Sequence, residues 1–303
     1  MTLLDKALVR MLPVVPKPVV QLFSSRYIAG STLAEAVGAV RALNAEGKMT
    51  TIDVLGEEIT REDEARAIAQ AYRDVFDAIE RERLDSTVSV KLTALGLDLS
   101  LELCRENIES ILEVARANGN FVRIDMEDSS TTTETLRLYR ELREDGFDNV
   151  GVVLQAYLRR TLDDVASLAD LVPNVRLCKG IYVEPPSIAY TDYEAVRANF
   201  ARALHALMEI DGTHIGIATH DEWLIQQALH DVAAWERGSY EFQMLLGVRE
   251  RRATELVQSG HPLRVYVPFG EHWYEYSLRR LQENPAMAGT IARATVGRVL
   301  GRG

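Results

Sequence analysis

Short apolar or β-branched runs recur along the chain at intervals wide enough to hold a helix between them. They lie at Met49 to Val54, Val88 to Leu92, Phe121 to Met126, Val150 to Leu154, Val175 to Leu177, Ile215 to Thr219, Tyr240 to Leu245 and Arg264 to Val267. Between them the apolar positions switch to helical spacing. The clearest case follows Thr60, where Ala65, Ile68, Ala69, Tyr72, Val75, Phe76 and Ile79 keep the 3.6-residue period. Thr60 is the expected cap of that helix, with Asp63 reaching back in a capping-box variant. Further helices are expected over roughly Leu99 to Ala117, Thr131 to Glu144, Thr161 to Leu171, Tyr193 to Glu209, Asp221 to Arg237, Val248 to Ser259 and His272 to Glu283. Eight strand-then-helix units argue for parallel pairing, and eight such units close a barrel. The expected fold is therefore α/β, a (βα)8 TIM-like barrel with extra N-terminal helices. Periodicity alone also admits a doubly wound open sheet, which usually carries fewer strands. Residues 1–48 are expected to form a helical extension and residues 49–303 the catalytic barrel, as one structural domain overall.

Composition narrows the class. The chain has 303 residues, 47% of them hydrophobic and 26% charged, which is ordinary for a soluble globular enzyme. Its 34 Lys and Arg stand against 45 Asp and Glu, a net charge of −11, so nonspecific nucleic-acid binding lacks the basic face it needs. Cys104 and Cys178 are too few and too far apart for a disulfide framework, which makes a reducing, cytoplasmic location the expectation. No uncharged run approaches the roughly 20 residues of a membrane span. At the N-terminus Leu3, Leu4, Ala7, Leu8 and Met11 share one helical face. That face suits either a helix packed on the domain or one lying on a membrane surface.

In this fold, active sites are built from strand ends and the loops after them. The sequence places polar groups there. Lys91 closes the second strand, Asp125 the third, Gln155 follows the fourth, and Lys179 with Gly180 follows the fifth. Thr219 and His220 end the sixth strand, Gln243 lies in the seventh and Tyr266 in the eighth. Burying such groups without partners costs on the order of 1–3 kcal/mol each, so their shared position points to a site. Tyr276, Arg279, Arg280 and Glu283 are spaced to share one face of the last helix. They read either as a solvated ion-pair face or as two guanidinium forks gripping a substrate carboxylate. A dinucleotide-binding GxGxxG, an HExxH zinc pattern and a Gly-x-Ser-x-Gly elbow are all missing, and His220-Asp221-Glu222 is a weak metal pattern in which Asp221 better serves as a helix cap.

Several segments together resemble the monofunctional proline dehydrogenases, a flavin-dependent family with a (βα)8 catalytic domain. They are Ser89 to Gly96 (SVKLTALG), Val122 to Asp128 (VRIDMED), Gln155 to Arg160 (QAYLRR), Val175 to Pro185 (VRLCKGIYVEP), Ala218 to Asp221 (ATHD), Glu241 to Gly247 (EFQMLLG) and Arg264 to Gly270 (RVYVPFG), followed by the Tyr276 to Glu283 pattern. The resemblance implies FAD as cofactor and oxidation of L-proline to Δ1-pyrroline-5-carboxylate, with electrons passed to a quinone acceptor. It implies Asp125 and Arg176 as active-site residues, Arg176 near the reacting edge of the flavin. Arg279 and Arg280 would bind the proline carboxylate, Lys91 would lie beside the substrate and pair with Glu283, and Leu245, Tyr266 and Tyr276 would pack around the substrate ring. Met126, Gln155, Arg176, Lys179, Gly180, Ile181, Tyr182, Thr219, His220 and Gln243 would line the FAD site.

Two departures touch the cofactor shell: Ile181 stands where alanine is commoner, and Ala-Thr-His-Asp replaces a frequent Ala-Thr-His-Asn. Pro185-Pro186 stiffens the loop after strand five. Tyr266 favours proline over hydroxyproline. Two partners stay open at this stage, the inner face of the membrane as a peripheral surface and a separate pyrroline-5-carboxylate dehydrogenase. Two other functions also stay open: a lyase or aldolase using Lys91 or Lys179 as a Schiff-base amine, and a non-catalytic proline sensor or scaffold.

Overall fold

The alternation of apolar runs with helical patterns resolves, in a computed structural model, into strands and helices that alternate in sequence; the structure describes residues 26–56, 59–274 and 277. The strands are β1 (Met49–Val54), β2 (Ser86–Val90), β3 (Val122–Ile124), β4 (Val150–Gln155), β5 (Asn174–Cys178), β6 (His214–Ala218), β7 (Ser239–Leu245) and β8 (Leu263–Phe269). Each pairs in parallel with its neighbour in sequence, and β8 pairs with β1 through Met49 with Arg264 to Val54 with Phe269, which closes the barrel. The helices are α1 (Leu33–Ala45), α2 (Glu62–Glu82), α3 (Leu101–Ala117), α4 (Thr132–Glu144), α5 (Thr161–Leu168), α6 (Tyr193–Met208), α7 (Glu222–Val232) and α8 (Glu250–Gln258), with a 3-10 turn at Ala169–Leu171. The open-sheet alternative is thereby removed. The last expected helix, from His272 to Glu283, runs outside the described residues, as does the apolar face from Leu3 to Met11.

Most boundaries agree with the sequence expectation to within two residues, and the differences have local causes. The cap of α2 is one. Thr60 was expected to cap it with Asp63 reaching back, but the helix starts at Glu62, and the Glu64 carboxylate accepts from the amides of Thr60 at 2.8 Å and Arg61 at 3.1 Å. Asp63 instead pairs with the Arg61 guanidinium at 2.8 Å. Asp221, by contrast, caps α7 as expected, accepting from the Trp223 amide at 3.1 Å.

Period-2 alternation gives the barrel two distinct faces. Outward residues such as Ile52, Val88, Ile124, Val152, Leu177, Ile217, Phe242 and Val267 are buried against helix residues including Phe76, Ile108, Tyr139 and Phe200. Inward residues are polar: Thr51 and Asp53 on β1, Ser89 on β2, Arg123 on β3, Arg176 on β5, Glu241 and Gln243 on β7, Arg264 on β8. All but the half-buried Arg264 are buried. Gly216 on β6 makes room for them, since a Cβ there would lie 2.5 Å from the Gln243 amide nitrogen. At the amino end of the barrel, Arg264 grips Glu241 at 2.7 and 3.0 Å, while Arg123 donates to the carbonyls of Val152 and Asn174.

His214 lies beside this lower network. Burial, with Arg123 and Arg264 nearby and only Glu241 opposing, pushes its imidazole down to about 4 from an ordinary 6.5. A depressed histidine means that the unfolded chain binds the extra proton first, so its contribution is present above pH 6.5 and is lost as pH falls toward 4. At pH 5 the expected loss is about 2 kcal/mol relative to pH 7.5. Urea midpoints at the two pH values should move less in His214→Gln than in the unsubstituted protein; equal shifts would refute this.

Candidate active site

The carboxyl ends of the strands bring the polar residues of the sequence into one hydrogen-bonded chain. Asp125, the residue after β3, occupies its centre. Its Oδ1 accepts from Arg176 Nη1 at 2.5 Å, and its Oδ2 accepts from the Tyr266 hydroxyl at 2.8 Å. Arg176 reaches across the barrel: Nη2 donates to Ser89 Oγ at 3.0 Å, and Nε donates to Gln243 Oε1. Its guanidinium also lies 5.4 Å from the centre of the Tyr266 ring. Both ions are nearly sequestered, with side-chain exposures of 8% for Arg176 and 12% for Asp125, so neither can lose the other without leaving a desolvated charge.

The chain continues to Lys91, which donates to Asp53 Oδ2 at 2.9 Å and approaches the Tyr266 hydroxyl at 3.4 Å. Asp53 is the residue that the sequence reading missed. It is fully buried in β1 and is also held by the Tyr72 hydroxyl of α2 at 3.2 Å. Burial pushes its carboxyl up, Lys91 pulls it down, and the like charge of Asp125 adds to the upward push. Alternation was the signal that could have found it. Thr51 and Asp53 occupy the polar phase of an otherwise apolar strand, the same phase that puts Ser89 inward on β2 and Lys91 just beyond its end. The expected partner of Lys91, Glu283, lies outside the described residues, as do Tyr276, Arg279 and Arg280.

The other rim residues fall on the side of the mouth formed by β4 to β7. Gln155 is buried and donates from Nε2 to the Met126 carbonyl at 3.3 Å, while its Oε1 is buried with no partner among the described residues. Gly180 has φ +96°, and a Cβ there would lie 2.1 Å from the Tyr157 ring, so the backbone passes directly against that aromatic face. Ile181 is exposed and Tyr182 half-buried on the loop beyond. Lys179 pairs with Asp221 at 3.0 Å. Thr219 is buried and its hydroxyl accepts from the Asp221 amide at 3.1 Å. His220 Nε2 accepts from the Leu245 amide at 3.0 Å, which places the ring proton of a neutral imidazole on Nδ1. Gln243 is drawn into the barrel more than the sequence suggested. Its oxygen is occupied by Arg176 and its nitrogen donates to Glu241 at 2.5 Å, so it acts as a strut behind the guanidinium.

The mouth is thus a set of opposed ions over a polar barrel interior, flanked by an unmet buried acceptor and a glycine-lined wall. Such an arrangement can hold a flat polar ring and a small zwitterion against it.

A family model described as proline dehydrogenase matches residues 36–293. The chain is 40% identical over 275 residues to proline dehydrogenase 1 of Bacillus subtilis subsp. natto, covering 90% of both chains. It is 36% identical over 276 residues to the proline dehydrogenase of Deinococcus radiodurans, covering 89% of each. Among solved structures, proline utilization A from Bdellovibrio bacteriovorus, inactivated by N-propargylglycine, superposes with a TM-score of 0.77 at 25% identity. That match covers 86% of this chain and 32% of the longer one. With the family model matching residues 36–293 and relatives of 36–40% identity covering about nine-tenths of each chain, the chain belongs to the proline dehydrogenase family.

Proposed function

We propose that the protein oxidises L-proline to Δ1-pyrroline-5-carboxylate with FAD as cofactor, the first step of proline breakdown, and that a quinone takes the electrons onward. The observation that carries this reading is the continuous Lys91–Tyr266–Asp125–Arg176 chain at the barrel mouth.

The residues present fit a flavin. Its ring system offers an N–H donor of the kind the buried Gln155 Oε1 lacks, and the bare backbone at Gly180 leaves space that a Cβ could not share with Tyr157. Gln155, Met126, Lys179, Gly180 to Tyr182, Thr219 and His220 would hold it, with Gln243 steadying Arg176. When bound, the flavin supplies the hydride acceptor that no side chain provides.

The protein's own contribution is to bind, orient and exclude water. Proline must lose its ammonium proton before the C–N bond can be oxidised. A cationic clamp on the substrate carboxylate disfavours a further positive charge beside it, which favours the neutral amine. Tyr266, fixed through its hydroxyl to Asp125, presents its ring as a wall for the pyrrolidine. Lys91 and Arg176 each face a buried carboxylate already, Asp53 and Asp125 respectively. A substrate carboxylate therefore calls for further cations, the role the reading gives to Arg279 and Arg280, with Glu283 and Tyr276 on the same helical face.

The same pairing weakens the Schiff-base alternative. That chemistry needs a neutral amine, and both candidate lysines are ion-paired to deeply buried carboxylates, Lys91 to Asp53 and Lys179 to Asp221. The described residues contain no helix long and apolar enough to cross a membrane. Contact with a membrane surface and hand-over of product to a separate dehydrogenase are further parts of the proposal.

Steady proline-dependent reduction of an artificial dye by the FAD-loaded protein is the test. Sustained turnover supports the reading and removes the sensor alternative; binding of proline without dye reduction would overturn it.

A further inference from the structure

One carboxylate on the rim gathers far more donors than a helix cap requires. Asp221 Oδ2 accepts from Lys179 Nζ at 3.0 Å, from Arg197 Nε at 2.8 Å and from the Tyr193 hydroxyl at 2.6 Å. Its Oδ1 accepts from Arg197 Nη2 at 2.8 Å and from the Trp223 amide at 3.1 Å. Its side chain is 1% exposed. The knot ties together the end of β5, the first turn of α6 and the start of α7. Burial alone would raise the Asp221 carboxyl, but hydrogen bonds from Arg197, Tyr193 and Lys179 hold it well below the usual carboxylate range. The anchor is therefore charged throughout the neutral range.

Arg197 also meets the exposed Glu194 carboxylate at 3.0 Å, so two cations face two carboxylates, of which only Asp221 is sequestered from water. Aromatic faces surround the knot: Lys179 Nζ lies 4.7 Å from the centre of the Tyr193 ring, and the Arg197 guanidinium lies 4.4 Å from Tyr193 and 5.6 Å from Trp223. Tyr193 and Trp223 are 52% and 47% exposed, unusual for side chains of this size. A cationic pair set between exposed aromatic faces suits an anion that carries a flat ring, such as the phosphate groups of a nucleotide. Lysine is otherwise a flexible point charge, and only an external anchor gives it a fixed position.

We propose that Asp221 is a positioning residue that presents Lys179 and Arg197 as a fixed cationic pair to the phosphates of the dinucleotide cofactor, at the rim between β5 and β6. This rests on the flavin reading of the mouth and extends it to the other half of the cofactor. The Asp in Ala-Thr-His-Asp is what makes the knot work. An asparagine would keep the cap to Trp223, but its single acceptor oxygen and lack of charge could not hold the bidentate Arg197 fork and Lys179 together.

The test measures binding to the cofactor-free full-length protein by calorimetry, with FAD, riboflavin and ADP as probes. Asp221→Asn is expected to weaken FAD and ADP by about tenfold, the equivalent of one charge-assisted hydrogen bond, and to leave riboflavin, which has no phosphate, unchanged. Tyr193→Phe removes one donor from the anchor and should shift the same two probes in the same direction by less. In a Lys179→Ala background the Asp221→Asn effect on ADP should shrink to the part carried by Arg197, the non-additivity expected of residues acting as a unit. Equal weakening of all three probes, or full additivity with Lys179→Ala, would overturn the proposal, because a general loosening of the fold behaves that way. A protein that binds neither FAD nor ADP would overturn it too. Asp221-dependent ADP binding without riboflavin binding would instead support it while contradicting the flavin reading.

Discussion

Arg176→Leu is expected to lose about 3–5 kcal/mol of folding stability and to slow proline-dependent flavin reduction by roughly 100- to 1,000-fold. The stability loss follows from what remains behind. Among the described residues Asp125 would keep only the Tyr266 hydroxyl, Ser89 and the Gln243 carbonyl would lose this donor, and a carboxylate with 12% exposure would stand without its counter-ion. The rate loss follows from the same guanidinium being the cation that the reading sets against the reacting edge of the flavin. Arg176→Lys separates the two effects. It keeps a positive charge near Asp125 but lacks the planar fork that meets Asp125, Ser89 and Gln243 at once, so stability should recover more than rate. Urea denaturation together with single-turnover reduction would check this, and a Leu variant within 1 kcal/mol of the parent would show that the buried pair is not as coupled as described.

Arg280→Met is expected to raise KM for proline roughly 10- to 100-fold with a much smaller change in kcat. The loss of one charge-assisted clamp on the substrate carboxylate amounts to about 1.5–3 kcal/mol. A pure KM effect is the signature of an interaction made equally in ground and transition states. The charge balance at the mouth makes this variant informative, since Lys91 and Arg176 each already face a carboxylate of the protein. An unchanged KM would remove Arg280 from the clamp and return the Arg279–Arg280 face to the solvated ion-pair reading.

Much of the barrel was legible in the sequence because parallel strands covered on both sides leave a strong mark. The run Val-Gly-Val-Val-Leu at Val150 to Leu154 has no charge to place, and β4 is buried along its whole length. The inward polar phase was legible too. Arg and Asp alternate with apolar neighbours in Val-Arg-Ile-Asp, and that alternation carries Arg123 and Asp125 into the barrel. Asp53 obeyed the same rule but was passed over, although it shares the inward phase with Thr51 on β1. The α2 cap was misplaced by one residue because Asp63 is taken by the Arg61 guanidinium, while the longer Glu64 reaches back to the amides of Thr60 and Arg61.

Asp221 shows what a linear reading cannot supply. Its donors come from positions 24, 28 and 42 residues away, on a loop and a different helix, so only folding reveals that a recognisable helix cap is also the anchor of a cationic pair. The strut role of Gln243 is hidden for the same reason: its partner Arg176 lies 67 residues earlier, across the barrel.

The most direct measurement on the whole account is the visible spectrum of the FAD-loaded protein, taken without oxygen before and after L-proline is added. The oxidised flavin bands are expected to bleach on adding proline and to return on adding a quinone. A spectrum untouched by proline, in protein that demonstrably holds FAD, would contradict it.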